Sequence, residues 1–292
     1  TTINSLDPTA KTEILEDGSV LVTTTKTDET TNEIHESKVL INNDGSVEHI
    51  VIIKDQDGNE IGTTRASSQV KDTSTAILSD GTLQTSATLK DANNNDVVVV
   101  VEADTNGKAS HIMKFTDENG QEVVIKATSD IKGAQTTMQE DGELRTKVQT
   151  SNGTQKVVFE VIAKPNGQAE HIVERTDETT GKTIVSSAIF EVQGAQTQIK
   201  EDGTIETSVV YYIDADGNTV KGVVLTDEEG NTITRFSKEQ DGTVKVEDGT
   251  LQDEAAFEPG SKAIITKSED GKPQIEVETN VTKAITFSRK DS

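Results

Sequence analysis

An acidic Asp-Gly turn recurs along this chain at nearly constant intervals, and this recurrence constrains the fold more than any other feature. Successive turns are 63, 61 and 61 residues apart, at Asp17-Gly18, Asp80-Gly81, Asp141-Gly142 and Asp202-Gly203. A threonine precedes each Asp by five residues, at Thr12, Thr75, Thr136 and Thr197. About thirty residues after each of the first three turns comes a histidine followed by isoleucine, at His49, His111 and His171. Landmarks in this fixed order indicate an internal repeat of about 61 residues.

Each repeat is predicted to be a series of β-hairpins. In the third repeat, segments of six to eleven residues such as "TQKVVFEVIAK" are separated by turns such as "EDG", "SNG" and "PNG". Turns of Gly with Asp or Asn between alternating segments are a strong hairpin signal. No window shows a convincing helical period, and only residues 251–259 could form a helical turn or two. The predicted fold is therefore all-β: an elongated antiparallel β-meander of repeats with a C-terminal β segment.

The landmarks also predict the domain boundaries. The fourth repeat is shortened, because the position that matches the histidine, Lys221, follows Asp202 by 19 residues instead of about thirty, and terminal repeats are often atypical. The predicted segments are an N-terminal extended segment (1–11), repeat 1 (12–74), repeat 2 (75–135), repeat 3 (136–196), a shortened repeat 4 (197–250) and a C-terminal β segment (251–292).

Strand periodicity assigns most strands one apolar face. Ala169, His171 and Val173 share a side, and so do Val157 and Phe159. Two runs, 50–53 and 97–101, are apolar at every position, which predicts cover on both faces from a second sheet or from a neighbouring molecule.

Charge and cysteine content exclude several functions. The net charge is −24, so the surface should repel nucleic acid and anionic membranes. The chain has no cysteine, which excludes disulfides and thiol nucleophiles, and no apolar run approaches the ~20 residues of a membrane-spanning helix. We expect no partner nucleic acid, no membrane insertion, and an extracellular or cell-surface location.

Enzyme chemistry is not predicted. The chain has four histidines, and three of them, His49, His111 and His171, occupy one repeat position, whereas a catalytic base is needed only once. Their alternation with apolar residues places them on the buried face, which favours packed structural histidines. No nucleophile elbow, phosphate-binding glycine loop or HExxH motif occurs.

Calcium is the one cofactor that the sequence suggests. The loops "DQDGNE" and "DADGNT" each bring three oxygen-bearing side chains into one turn: Asp55, Asp57 and Asn59 in the first, and Asp214, Asp216 and Asn218 in the second. Calcium requires six to eight oxygen ligands, so one loop alone supplies too few. Asp, Asn and Gly are also the residues that a hairpin turn selects without an ion.

Two functions fit these features. The first is a structural subunit of an extracellular bacterial fibre or surface assembly, which polymerises head-to-tail with copies of itself through terminal strands, because exposed sheet edges accept further strands. The second is a monomeric repeat-containing surface adhesin or stalk, with or without stiffening by calcium.

Overall fold

A computed structural model describes residues 2–5, 7–91, 93–117, 119–213, 219–240, 243–245, 255–267, 273–278 and 285–288. These residues form β-strands joined by turns and contain no helix, which confirms the all-β prediction. The chain divides into two compact units. Unit 1 comprises Thr1–Val148 and Ile162–Asn166, and unit 2 comprises Gln149–Val161 and Gly167–Ser292.

Unit 1 contains two antiparallel meanders that belong to different sheets. The strands of the first, after an initial strand β1 (Thr2–Ser5), are β2 (Lys11–Ile14), β3 (Val20–Thr27), β4 (Ile34–Ile41), β5 (Val47–Lys54) and β6 (Glu60–Ser68). Those of the second are β7 (Ser74–Ile77), β8 (Leu83–Lys90), β9 (Asp96–Ala103), β10 (Ala109–Thr116) and β11 (Glu122–Ser129). Then β12 (Gln135–Met138) and β13 (Leu144–Ser151) return to the sheet of β2–β6.

Unit 2 is built in a similar way. One sheet contains β14 (Gln155–Ala163), β15 (Ala169–Asp177), β16 (Thr183–Phe190), β23 (Lys262–Lys267), β24 (Pro273–Glu278) and β25 (Ile285–Ser288). The other contains β17 (Gln196–Ile199), β18 (Ile205–Ile213), β19 (Thr219–Thr226), β20 (Thr232–Gln240), β21 (Thr243–Lys245) and β22 (Ala255–Phe257). Residues 255–257 are therefore a strand that pairs with β20, and the helical turn predicted for 251–259 is wrong at these positions.

Parallel strand pairs join the end of one meander to the start of a later one, a feature that the predicted antiparallel meander lacks. β6 pairs in parallel with β12, β16 with β23, and β1 with β7. The cause is a crossing of the chain: after β6 it passes to the other sheet, and it comes back only at β12, beside the strand that it left. Each parallel pair is four residues long in each strand.

Hydroxyl groups tie the two sheets of each unit together. In unit 1, Thr64 on β6 donates to the carbonyl of Gly107, at 2.7 Å, in the turn between β9 and β10. In unit 2, Ser186 on β16 donates to the carbonyl of Gly230, at 2.7 Å, in the turn between β19 and β20. Both hydroxyls are buried, so each satisfies a turn carbonyl that water could not reach.

The core lies between the sheets and follows strand alternation. Every second residue of β5 and of β9 is buried, including Val51, Ile53, Val99 and Val101. The intervening residues of the two apolar runs are half-buried rather than covered, so the predicted second cover is absent from the described residues. Long side chains on neighbouring strands account for the half-burial of Ile50, whose cross-strand partners are Lys38 and Arg65.

Candidate functional site

The Asp55 loop, the described one of the two calcium candidates, is a hydrogen-bonded turn. Oδ1 of Asp55 accepts the backbone N–H groups of Asp57, at 2.9 Å, and Asn59, at 2.8 Å. Oδ2 of Asp55 accepts the side-chain N–H of Asn59 at 2.9 Å. These bonds lower the pKa of Asp55, with the Asn59 side chain as the largest cause. The carboxylate therefore already has donors on both oxygens.

The same geometry occurs in turns that lack the D-x-D-G-N sequence. Asp91 accepts the backbone N–H groups of Asn93 and Asn95, each at 2.8 Å, and the side-chain N–H of Asn95 at 3.1 Å. Asp227 likewise accepts the side-chain N–H of Asn231 at 2.9 Å. An aspartate that binds its own backbone two residues on is an Asx turn, which needs no ion.

The second candidate loop, Asp214, Asp216 and Asn218, lies outside the described residues. Within the part of the chain that the structure describes, no three His, Cys, Asp or Glu side chains are grouped so as to hold a metal ion. Calcium binding at either loop remains a prediction.

The repeated histidines lie in the core of their units, on the face that alternation predicts. His49 is 1% exposed, and His111 and His171 are 0% exposed. His35, which is outside the repeat position, is 6% exposed, and its Nε2 lies 3.5 Å from a carboxylate oxygen of Glu33.

In unit 1 two of these histidines bind threonines of the opposite sheet. Nε2 of His49 lies 2.7 Å from Oγ1 of Thr85, which lies 2.8 Å from Oγ1 of Thr75. Nδ1 of His111 lies 2.9 Å from Oγ1 of Thr146, which in turn donates to Oγ1 of Thr136 at 2.9 Å. The threonines five residues before the Asp-Gly turns thus end a buried His-Thr-Thr chain.

In unit 2 the third histidine is bound through both ring nitrogens. Nδ1 of His171 lies 2.8 Å from Oγ1 of Thr207, and Nε2 lies 3.1 Å from Oγ1 of Thr226. Thr207 continues to Thr197 at 2.9 Å, as in the two chains of unit 1. The ring also meets Phe190 edge-on, with centroids 5.5 Å apart.

Burial decides what these imidazoles can do chemically. Desolvation lowers the pKa of His49, His111 and His171 to about 3, so all three are neutral at pH 7. A neutral imidazole offers one donor and one acceptor, and threonine hydroxyls rotate to match either. Because the rings are sealed from solvent, they do not meet a substrate, and their role is to bind one sheet to the other.

The landmarks of the repeat do not include the middle threonine of each His-Thr-Thr chain, which is Thr85, Thr146 or Thr207. The signal was present, because each lies ten residues after a landmark threonine and pairs with it across a hairpin. In the first repeat, Thr12 pairs with Val22 instead, and no histidine precedes it in the sequence. This position is therefore a threonine in the three repeats where a histidine binds it, and a valine in the first repeat, where none does.

Comparisons with known proteins give no assignment. No family model matches the chain, and no curated protein matches it. Among solved structures, the crystal structure of polysaccharide lyase Uly1 is similar with a TM-score of 0.17 and 8% identity, over 96% of this chain and 89% of the lyase chain. That similarity is too low to support a shared fold or activity. The described residues include no helix with the length and apolar character that a membrane span requires.

Proposed function

We propose that this protein is a structural subunit of an extracellular bacterial fibre or surface assembly, built from repeats of about 61 residues and joined head-to-tail to copies of itself by strand pairing. Its partners are further copies of the chain, and its net charge of −24 disfavours nucleic acid.

The parallel strand junction is the observation that supports this proposal. At β6–β12 and at β16–β23 a new strand is added to the free edge of a finished meander, and four residues of each strand are paired. Backbone bonds at the ends extend each four-residue pairing: the N–H of Arg65 donates to Ala134 and that of Gln69 to Met138 at the first junction. At the second junction the N–H of Ser187 donates to Ser261 and that of Glu191 to Ile265. A junction of this kind needs only a short extended segment, so a segment of a second molecule could make it as well.

The C-terminal strand is the better donor of the two ends. β1, at the N-terminal end, is already paired with β7 of its own chain, and the N–H of Thr2 donates to the carbonyl of Thr73 at 3.0 Å. β25 pairs with β24 on one side, and among the described strands nothing pairs with its other side. Donation from one end of each copy to the other end of the next does not close on itself and grows as a filament.

The alternative function is a monomeric adhesin or stalk. The Asx turns at many hairpin ends favour it, because they hold the turn backbone in place and leave acidic side chains on the surface. With a net charge of −24, copies of the chain repel one another, which favours a monomer.

Sedimentation velocity and electron microscopy of the purified chain distinguish the two functions. We expect the full chain to form filaments, with a sedimentation coefficient that rises with concentration. Deletion of residues 280–292 should abolish assembly because it removes β25, and deletion of residues 1–11 should weaken assembly because it removes the first residue of β2. A full chain that stays monomeric at high concentration contradicts the fibre function and supports the stalk. Assembly that survives both deletions contradicts terminal strand exchange.

A further inference from the structure

β2 differs from the strands that occupy the same place in later repeats. Ile14, Ile77 and Met138 each stand three residues before the Asp of an Asp-Gly turn, and each pairs with the first residue of the next strand. Ile77 and Met138 are 0% exposed, whereas Ile14 is 75% exposed, the largest exposed fraction among the exposed large apolar side chains of the described residues. All four residues of β2 are exposed.

The outer edge of β2 is also open, and its counterparts show what binds there. The carbonyls of Ala134 and Met138, at the two ends of β12, accept N–H groups from the parallel strand β6. The matching positions around β2 are Ala10 and Ile14. No described strand pairs with β2 on that side, although β7 and β12 each have a parallel partner there.

We propose that the outer edge of β2 accepts β25 of a second copy of this chain, in parallel orientation, so that the contact buries Ile14. This inference rests on the proposed function and names its acceptor site. The structure of the internal junctions sets the orientation, because the strand beside β7 or β12 is parallel. Part of the cover of Met138 comes from its parallel neighbour, because the hydroxyl of Ser68 lies 3.3 Å from the Met138 sulfur, and Ile14 has no such neighbour among the described strands.

Charge complementarity favours β25 as the occupant. β2 is followed in sequence by Glu16 and Asp17, and β25 is followed by Arg289 and Lys290. In a parallel pair the residues that follow the two strands lie side by side. The chain has 52 acidic and 28 basic residues, so two copies repel each other overall. Attraction between the two basic residues after β25 and the two acidic residues after β2 would offset part of this repulsion at the contact.

A charge swap tests the contact and its direction. The double variant Arg289→Glu, Lys290→Glu should raise the protein concentration needed for assembly at least tenfold, as measured by sedimentation velocity. Adding Glu16→Lys to that variant should recover much of the loss. Glu16 is suitable because it is exposed, whereas Asp17 holds its own turn by accepting the N–H of Ser19 at 2.9 Å.

Two further variants test the edge itself. Ile14→Asp should abolish assembly, while Ile61→Asp, which removes an exposed isoleucine (48%) on β6, should leave it unchanged. Thr12→Pro should also block assembly, because Thr12 lies midway between Ala10 and Ile14 and alternation points its N–H to the outer edge. Circular dichroism checks that each variant keeps its strands.

The outcomes separate this inference from the proposed function. If the full chain assembles and neither Ile14→Asp nor Thr12→Pro affects it, the acceptor is elsewhere and only this inference is wrong. If those variants block assembly but the charge swap gives no recovery, parallel pairing with β25 is wrong. If the full chain never assembles, both this inference and the proposed fibre function are wrong.

Discussion

Acidification should unfold this protein at a higher pH than protonation of its carboxylates alone would, because three neutral histidines are buried in its core. In the folded chain the pKa of His49, His111 and His171 is about 3, against about 6.5 in an unfolded chain. Between these two values the unfolded state binds more protons than the folded state. Stability therefore rises with pH in this window and is lost as the pH falls from 6.5 towards 3.

The magnitude follows from the number of groups. Each buried histidine should cost about 1.4 kcal/mol of unfolding free energy per pH unit below 6.5, and the three together about 4 kcal/mol per unit. At pH 4.5 the loss would be about 8 kcal/mol, comparable to the whole stability of an ordinary domain. Two of the histidines belong to unit 1 and one to unit 2, so unit 1 should lose about twice as much.

Carboxylates act in a lower pH window. Hydrogen bonds lower the pKa of Asp55, Asp91 and Asp117 below the usual value near 3.9. Their contribution is present above that value and is lost only as the pH falls through the lowered pKa. A loss of stability between pH 6.5 and pH 4.5 therefore reports the histidines.

Guanidinium unfolding curves at half-unit steps from pH 7 to pH 4.5 measure the effect, with hydrogen exchange to follow the two units separately. His111→Gln provides the control: it removes one titrating group, so the slope should fall by about a third whatever its effect on stability at pH 7. Nuclear magnetic resonance should show no titration of these three rings in the folded protein between pH 5 and pH 8. A slope below about 1.4 kcal/mol per pH unit, or a ring that titrates near 6.5, would refute the reasoning.

Three other predictions concern single side chains. Thr146→Val should cost about 1–3 kcal/mol of unfolding free energy because it leaves a buried imidazole nitrogen without its partner, and Thr146→Ser should cost less in the same denaturant assay. Gly142→Ala should lower the melting temperature more than Gly153→Ala does. Both glycines have positive φ, but a Cβ on Gly142 would lie 2.4 Å from a leucine side chain of β8, while one on Gly153 meets nothing within 4 Å; equal losses would contradict this. Asp55→Ala and Asp91→Ala should lower the melting temperature equally, with or without calcium, if both are plain Asx turns; a calcium-dependent loss in Asp55→Ala alone would establish a metal site.

Much of this fold could be predicted from local sequence. The Asp-Gly turns and the alternation of apolar residues predict short antiparallel strands, and the same alternation predicts that His171 and Val173 are buried. These are local properties, because a turn needs particular backbone angles and a strand needs a period of two.

The sequence alone determined an all-β chain, the residues that face its core, and the recurrence of one hairpin. Only the tertiary structure decided that successive meanders in unit 1 lie in different sheets, that β6 and β12 pair in parallel, and that a threonine 35 residues beyond His111 is its partner. Alternation specifies which side of a strand is apolar but not which strand covers it. That choice depends on contacts between residues distant in sequence, and these form only when the chain crosses from one sheet to the other. For the same reason, only the structure distinguished Ile14 from Ile77: the two occupy equivalent turns in the sequence, but one is covered and the other is open.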